Sequence, residues 1–403
     1  MAVDNFASFT EALAKPADKQ TISAAPQYRR IAILGGGDDG LLLASMCLSY
    51  GKEVALFSAY NTERVAMQNG ITIRGEAEGV PIGTYQFNQE SIPSIKSTGD
   101  LDEAVKDAEV IFLTGPLHKQ RTYAMVLADH IRDGQVLVLL NGRTFGALET
   151  SWLLKVGGAN ADITLVEGQG LPYWINRSGN QFNLSQSAGV NVATLPANRK
   201  SVLDGLAEFL PMINPSINLL ENSFSDASGL VEVPGLLLGG AAMSDTHGEL
   251  PDGAVELDEN KTFRNLLGNE HLQVVSAMAE ERRKVATKFG VRNLPDDSTW
   301  LDQYAGTHKG VGLRPIPNQT MAKNIIRCST LGSLVPLLSA AEIAGETVPV
   351  TRSLVDLAGT VLRADSMSSG RRLDAIGIAL KVKNTALDDA RHQLVNIMKG
   401  ECR

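Results

Sequence analysis

Residues 29–40 read RRIAILGGGDDG, and this stretch decides the fold. The run IAIL (31–34) is short and wholly apolar, the pattern of a strand buried on both faces. Gly35, Gly37 and Gly40 follow as G-x-G-x-x-G. Then come LLLASMCLSY (41–50), a helix core stopped by Gly51, and EVALFS (53–58), a second strand. Strand, glycine loop, helix and strand in this order make a βαβ unit. In that context each glycine has a task. Gly35 permits the tight turn, Gly37 lets backbone approach a phosphate, and Gly40 allows close helix–strand packing. The unit predicts a dinucleotide site, with the pyrophosphate on the free N–H groups of the helix start. Asp38 and Asp39 complicate this. The helix dipole favours carboxylates in a first turn, yet these two must point away from a bound anion.

Downstream the pattern repeats. TERVAMQNG (62–70) reads as a helix, LDEAVKDAEVIFLTGP (101–116) as a helix and a strand, and TYAMVLADHI (122–131) as a helix. GQVLVLLNGR (134–143) and DITLVEGQG (162–170) each read as a strand running into a loop. Helices alternating with apolar strands imply a mostly parallel sheet covered on both faces. Near residue 200 the character changes. VLDGLAEFLPM (202–212) and later segments are helical, and LLGNEHLQVVSAMAEERRKVATKFG (266–290) is a long amphipathic helix. The expectation is an N-terminal extension over 1–28, an α/β Rossmann domain over 29–198, and an all-helical C-terminal domain over 199–403 for substrate and dimerisation.

Bulk properties narrow the function. A chain of 403 residues, 43% hydrophobic, can bury two cores. A formal charge of -8 without a basic patch argues against nucleic acid as a partner. Cys47, Cys328 and Cys402 show neither metal spacing nor a disulfide framework, which fits a reducing compartment. With no membrane span or secretion signal read, a cytoplasmic enzyme without a metal is expected. Apolar helices and the N-terminal extension suggest a homodimer.

The end of the second strand bears on the cofactor. It reads Phe57-Ser58-Ala59-Tyr60, with no acid before Glu63 to grip ribose hydroxyls. Ser58 and Arg64 are read as partners for a 2′-phosphate, which favours NADP, with NAD as the alternative. The cofactor set is therefore Gly35, Gly37, Asp38, Gly40, Ser58 and Arg64, with Pro116 and Asn141 at later strand ends.

Several stretches in order resemble the opine (octopine/nopaline) dehydrogenase family. NGRTFGALET (141–150) resembles that family's Asn-Pro-Gly-x-x-Gly-Gly-Ala-Leu-Glu. VEG (166–168) with Arg177 downstream resembles its Gly-Glu-Thr strand end and arginine. GSLVPLLSAAEIAGETVPVTRSLVDLA (332–358) and GRRLDAIGI (370–378) resemble its closing segments. The likeness spans about residues 30 to 380. It implies a 6-phosphogluconate-dehydrogenase-like plan, a Rossmann domain followed by a helical domain. It also implies reduction by NAD(P)H of the imine formed from a 2-oxo acid and an amino acid.

One family motif, Asn-x-Asn-x-x-x-His-Pro with its catalytic histidine, is not preserved. Over Gly229–Leu237, Leu236 stands about where that histidine falls, and Leu230 and Glu232 replace the asparagines. Other groups are candidates for proton transfer. His118 lies just past a strand end, Glu167 at another, and His247 in the turn-rich SDTHGELPDG. Glu232 sits in an apolar run, where a carboxylate is costly unless paired or at a site. A substrate carboxylate needs cations, and Arg177, Arg314 and Arg143, all expected in loops, are candidates, with His308 nearby. Two alternatives stay open. One is a carbonyl or 2-hydroxy-acid dehydrogenase on the same plan, for which Lys309 and Lys323 are candidate catalytic lysines. The other is an NAD(P)-binding sensor without turnover.

Overall fold

The computed structural model describes residues 25–239, 262–307, 312–376 and 384–399. His247, His308 and Lys309 lie outside the described residues, as does nearly all of the expected N-terminal extension. The chain folds into two compact units. One comprises Lys15–Gly142 with Ala147–Leu219; the other comprises Leu220–Arg403 with the short segment Arg143–Gly146.

The first unit carries twelve strands among its described residues: β1 (Arg30–Leu34), β2 (Glu53–Phe57), β3 (Ile71–Gly75), β4 (Gly83–Tyr85), β5 (Lys96–Thr98), β6 (Val110–Leu113), β7 (Val136–Leu139), β8 (Thr164–Gly168), β9 (Tyr173–Ser178), β10 (Gln181–Gln186), β11 (Val190–Leu195) and β12 (Ile213–Pro215). Eight form one sheet in the order β12-β11-β8-β7-β6-β1-β2-β5. From β5 to β8 all neighbours run parallel. β1 is central and the chain winds outward from it in both directions, so the order reverses beside β1, between it and β6. This is the doubly wound arrangement whose ligand crevice lies at the strands' carboxyl ends. β6 and its outer neighbour β7, VIFL and VLVL, are buried at every position, as strands covered on both faces must be.

Helices α1 (Asp38–Ser49), α2 (Asn61–Ala66), α3 (Leu101–Val105), α4 (Leu117–Leu127) and α5 (Gly146–Val156) follow their strands. Leu41, Leu42, Leu43 and Met46 of α1 pack into an apolar cluster with Ile31, Ile33 and Phe112. Each such side chain contributes about 1.5–3 kcal/mol of burial. A second sheet, β4-β3-β10-β9, joins the same cluster through Ile73, Tyr85 and Phe182. The sequence pattern does not announce it. The β9–β10 hairpin turns at Gly179, φ 61°, and β10 pairs in parallel with the distant β3. Arg177, expected in a loop, is therefore a strand residue opposite Phe182. Residues 199–219, expected to open the helical half, belong with the sheet: α6 (Ser201–Ala207) leads to β12, which pairs with β11.

The described part of the second unit is helical apart from isolated bridges. α7 (Leu219–Ser225) leads into α8 (Ser228–Leu238), and then come α9 (Asn269–Lys288), α10 (Asp297–Ala305), α11 (Gln319–Ser329), α12 (Val335–Ala344), α13 (Pro349–Leu362), α14 (Ser366–Ser369) and α15 (Asn384–Lys399). α8 is buried from Ser228 through Leu236 and packs on α9, α10, α11 and α13. An apolar helix without a polar face belongs at such a centre. Between α11 and α12 the chain takes a wider π turn, Thr330–Leu334.

Candidate functional site

The glycine loop is built as its sequence demands. Gly35 has φ 121°, a conformation that other residues rarely adopt. A Cβ on Gly40 would fall onto the Gly35 carbonyl oxygen, so α1 can approach β1 only with glycine there. A Cβ on Gly37 would meet nothing within 4 Å, which leaves space above the backbone where the helix starts. Gly37 is the N-cap of α1 and offers no capping side chain, so the first N–H groups face that space. Across the switch point the Thr114 hydroxyl donates to the Leu34 carbonyl at 2.9 Å and to that of Gly35 at 3.3 Å, which fixes the loop. Such a cradle fits a pyrophosphate.

The two aspartates are held aside. Asp38 Oδ1 pairs with Arg177 Nη1 at 2.5 Å. Asp39 Oδ2 accepts from Asn141 Nδ2 at 2.8 Å. Arg177 is itself fixed, because its Nε donates to the Gly179 carbonyl and its guanidinium lies 5.3 Å from the Phe182 ring centre. Arg177, expected to bind substrate, is thus a partner of the glycine-loop helix. The Asn141 amide, expected on the cofactor, holds Asp39.

Past β2, Ser58 finds its partner within the protein. The Ser58 hydroxyl is fully buried and donates to Glu63 Oε2 at 2.5 Å. Lys119 Nζ binds the other oxygen, Oε1, at 3.0 Å. The carboxylate lies against the glycine loop, since a Cβ on Gly36 would come within 2.7 Å of Oε2. Burial raises the Glu63 carboxyl, but these partners outweigh it and leave the group below the usual carboxylate range. Arg64, meanwhile, lies against Gly99 and lines an open depression of about 630 Å³ with Thr98, Asp100 and His130. Ser58 is thus held by Glu63, while Arg64 borders that depression. Pro116 is the N-cap of α4, and His118 is exposed in its first turn.

Glu167 is fully buried, and its Oε2 accepts from the Ala147 N–H of α5 at 3.0 Å. A Cβ on Gly142 would come within 2.8 Å of its Cγ. Glu167 therefore anchors the loop after β7 to the start of α5, which is a structural task.

The helical unit holds a cluster of buried charges. Glu232, in the middle of α8, pairs with Arg314 Nη2 at 2.8 Å and Arg143 Nη1 at 3.4 Å, and accepts from the Ser329 hydroxyl. Pairing is what makes a carboxylate tolerable in that apolar run. Arg314 also donates to the Tyr304 carbonyl and lies 4.3 Å from the Phe263 ring centre. Nearby, Asp226 accepts from Thr144 and Tyr304, each at 3.0 Å. Burial raises its carboxyl, but Arg282, Arg143 and Ser228 hold it below the ordinary aspartate value. The Tyr304 hydroxyl is pushed well above its usual range by burial and then by Asp226. Arg282 reaches the Ser333 carbonyl and hydroxyl at 3.2 and 3.0 Å. The wide π turn presents the Gly332 carbonyl to the Thr144 N–H at 3.1 Å, and Arg371 bonds the Thr144 carbonyl at 2.6 Å. Arg143 and Phe145 both have positive φ, 59° and 63°, so this short segment is held in a strained form by its partners.

Sequence reasoning missed Glu63, Lys119, Asp226, Arg282, Tyr304 and Arg371. Only Arg282 carried a readable signal. It follows Met278 by one helical repeat on the apolar face of α9 and is completely buried. Leu236, at the place of the family histidine, is buried too. Among the described residues no group of three His, Cys, Asp or Glu could hold a metal ion, and no helix is long and apolar enough to cross a membrane.

No family model matches the chain. It is 23% identical over 371 residues to an opine dehydrogenase of Arthrobacter sp. (strain 1C), covering 88% of this chain and 96% of that one. The solved structure of an octopine dehydrogenase with NADH and agmatine matches with a TM-score of 0.65 at 16% identity, over 92% of this chain and 98% of that one. The chain resembles the opine dehydrogenases. The curated Arthrobacter relative is named a dehydrogenase. A D-mandelate dehydrogenase with NADH also shares the fold, with a TM-score of 0.57 at 15% identity over 83% of this chain and 99% of that one.

Proposed function

We propose that this opine-dehydrogenase-like chain reduces the imine formed from a 2-oxo acid and an amino acid, or oxidises the resulting secondary amine. The observation that carries the reading is the glycine cradle at the switch point, with its two aspartates paired to Arg177 and Asn141, in a chain similar to opine dehydrogenases along nearly its whole length. A bound nicotinamide dinucleotide would supply or accept the hydride. The N–H groups of Gly37 and the first turn of α1 would hold its pyrophosphate, and Thr114 keeps their loop rigid.

Of the cations considered for a substrate carboxylate, Arg143 has the best case. Its side chain is 18% exposed, whereas that of Arg314 is 8% exposed and buried against Glu232. Ser329 and Glu232 orient the Arg143 guanidinium, so its direction is fixed before a carboxylate arrives. Glu232 serves in this reading as the arginines' counter-ion. His118, exposed at a strand end, is the remaining described candidate for proton transfer.

A second reading has its own observation. Leu236 leaves no histidine at the family's catalytic place, and a hydroxy-acid dehydrogenase shares the fold. The test follows oxidation of NADH and NADPH with a panel of 2-oxo acids, each with and without amino acids. Opine chemistry requires oxidation that depends on both reactants. Oxidation by a 2-oxo acid alone assigns the chain to CH–OH chemistry, and cofactor binding without turnover favours a sensor.

A further inference from the structure

We propose that Glu63 makes this dinucleotide site selective for NAD over NADP, by occupying the place where a 2′-phosphate would lie and accepting a ribose hydroxyl instead. The inference rests on the nicotinamide reading above and deepens it. Glu63 stands on α2, past the strand end where such an acid is usually found. Its side chain nevertheless returns to the glycine loop. A Cβ on Gly36 would come within 2.7 Å of Oε2, so this oxygen lies directly beside the loop.

The hydrogen-bond inventory explains the choice. An ionised carboxylate offers about four acceptor sites. Ser58 and Lys119 use two. The remaining ones take donors. A 2′-hydroxyl has a proton to give, whereas a phosphate monoester near neutral pH is mostly dianionic and offers acceptors.

Lys119 does not reverse this outcome. It holds Oε1, while the oxygen turned to the loop is Oε2. Its charge balances that of Glu63, so the pair presents no net positive charge to a second phosphate. The nearby cation Arg64 lies against Gly99. Ser58, expected to serve a 2′-phosphate, positions the acid that excludes it.

The test is fluorescence titration of the full-length protein with NADH and NADPH, in wild type and in Glu63→Gln. Wild type should bind NADH at least ~10-fold more tightly, equivalent to about 1.4 kcal/mol. Glu63→Gln keeps the size and one acceptor, loses the charge and gains a donor. It should tighten NADPH about tenfold while NADH changes by less than about threefold. A merely structural Glu63 would weaken both cofactors together. If wild type binds NADPH as well as NADH or better, Glu63 is not the selector, although the nicotinamide reading stands. If neither binds, both fail. Should Glu63→Gln not fold, the wild-type ratio alone decides.

Discussion

The glycine cradle and the arginine cluster handle charge in opposite ways. Around the cradle, carboxylates are partly buried and held by polar side chains: Asp38 by Arg177, Asp39 by Asn141, and Glu63 by Ser58 and Lys119. The backbone donors are left for a ligand. In the cluster, Asp226 and Glu232 are almost wholly buried: Glu232 pairs with Arg143 and Arg314, and Asp226 accepts from Thr144, Tyr304 and the Ser228 N–H with the charges of Arg282 and Arg143 nearby. The first arrangement keeps a surface ready for an anion. The second fixes the shape of a segment, Arg143–Phe145, whose backbone would not hold its left-handed turns unaided.

Breaking the cluster should have the larger effect. Glu232→Ala leaves two buried guanidinium groups without their carboxylate and should cost about 3–5 kcal/mol in chemical denaturation. Acid should loosen the same cluster. Asp226 has a lowered value, so its stabilisation is complete above the ordinary aspartate range, near ~4, and is lost as pH falls through the lowered value. Asp226→Asn should therefore flatten the acid side of the stability curve. A variant as acid-sensitive as wild type would show that Asp226 does not govern the acid transition.

Breaking the Asp38–Arg177 pair should matter less, because it is partly exposed. Arg177→Ala frees Asp38 to approach the pyrophosphate. NADH affinity should fall about two- to fivefold, or roughly 0.5–1 kcal/mol, and less at high salt. If Arg177 is a substrate contact instead, KM for the oxo acid will rise while NADH affinity stays put.

The same contrast explains what could be read from sequence. The cradle is local: strand, glycines and helix lie within residues 30–49, so spacing reveals them. The central strands are apolar runs and are equally plain. The second sheet escapes notice because β3 and β10 pair across a long stretch of chain and are too mixed in pattern to read as core strands. Glu63 stands too far past β2 to suggest a ribose contact, since distance along the chain hides the return of its side chain to Gly36. The cluster draws residues 143, 226, 232, 282, 314 and 371 from six segments, and no short motif contains them. Glu232 and Arg282 give warnings, because a charge on an apolar helix face needs a partner, though sequence could not name Arg314.

The functional reading stands or falls with the backbone at Gly35–Gly40 as the seat of a nicotinamide dinucleotide. The decisive measurement is titration of NADH into wild type and into Gly40→Val, with an unchanged circular-dichroism spectrum confirming that the variant is folded. Saturable binding by wild type and a loss of about 100-fold or more in the variant, near 2.7 kcal/mol, is the expected result. No binding by wild type, or equal binding by a folded Gly40→Val protein, would contradict it.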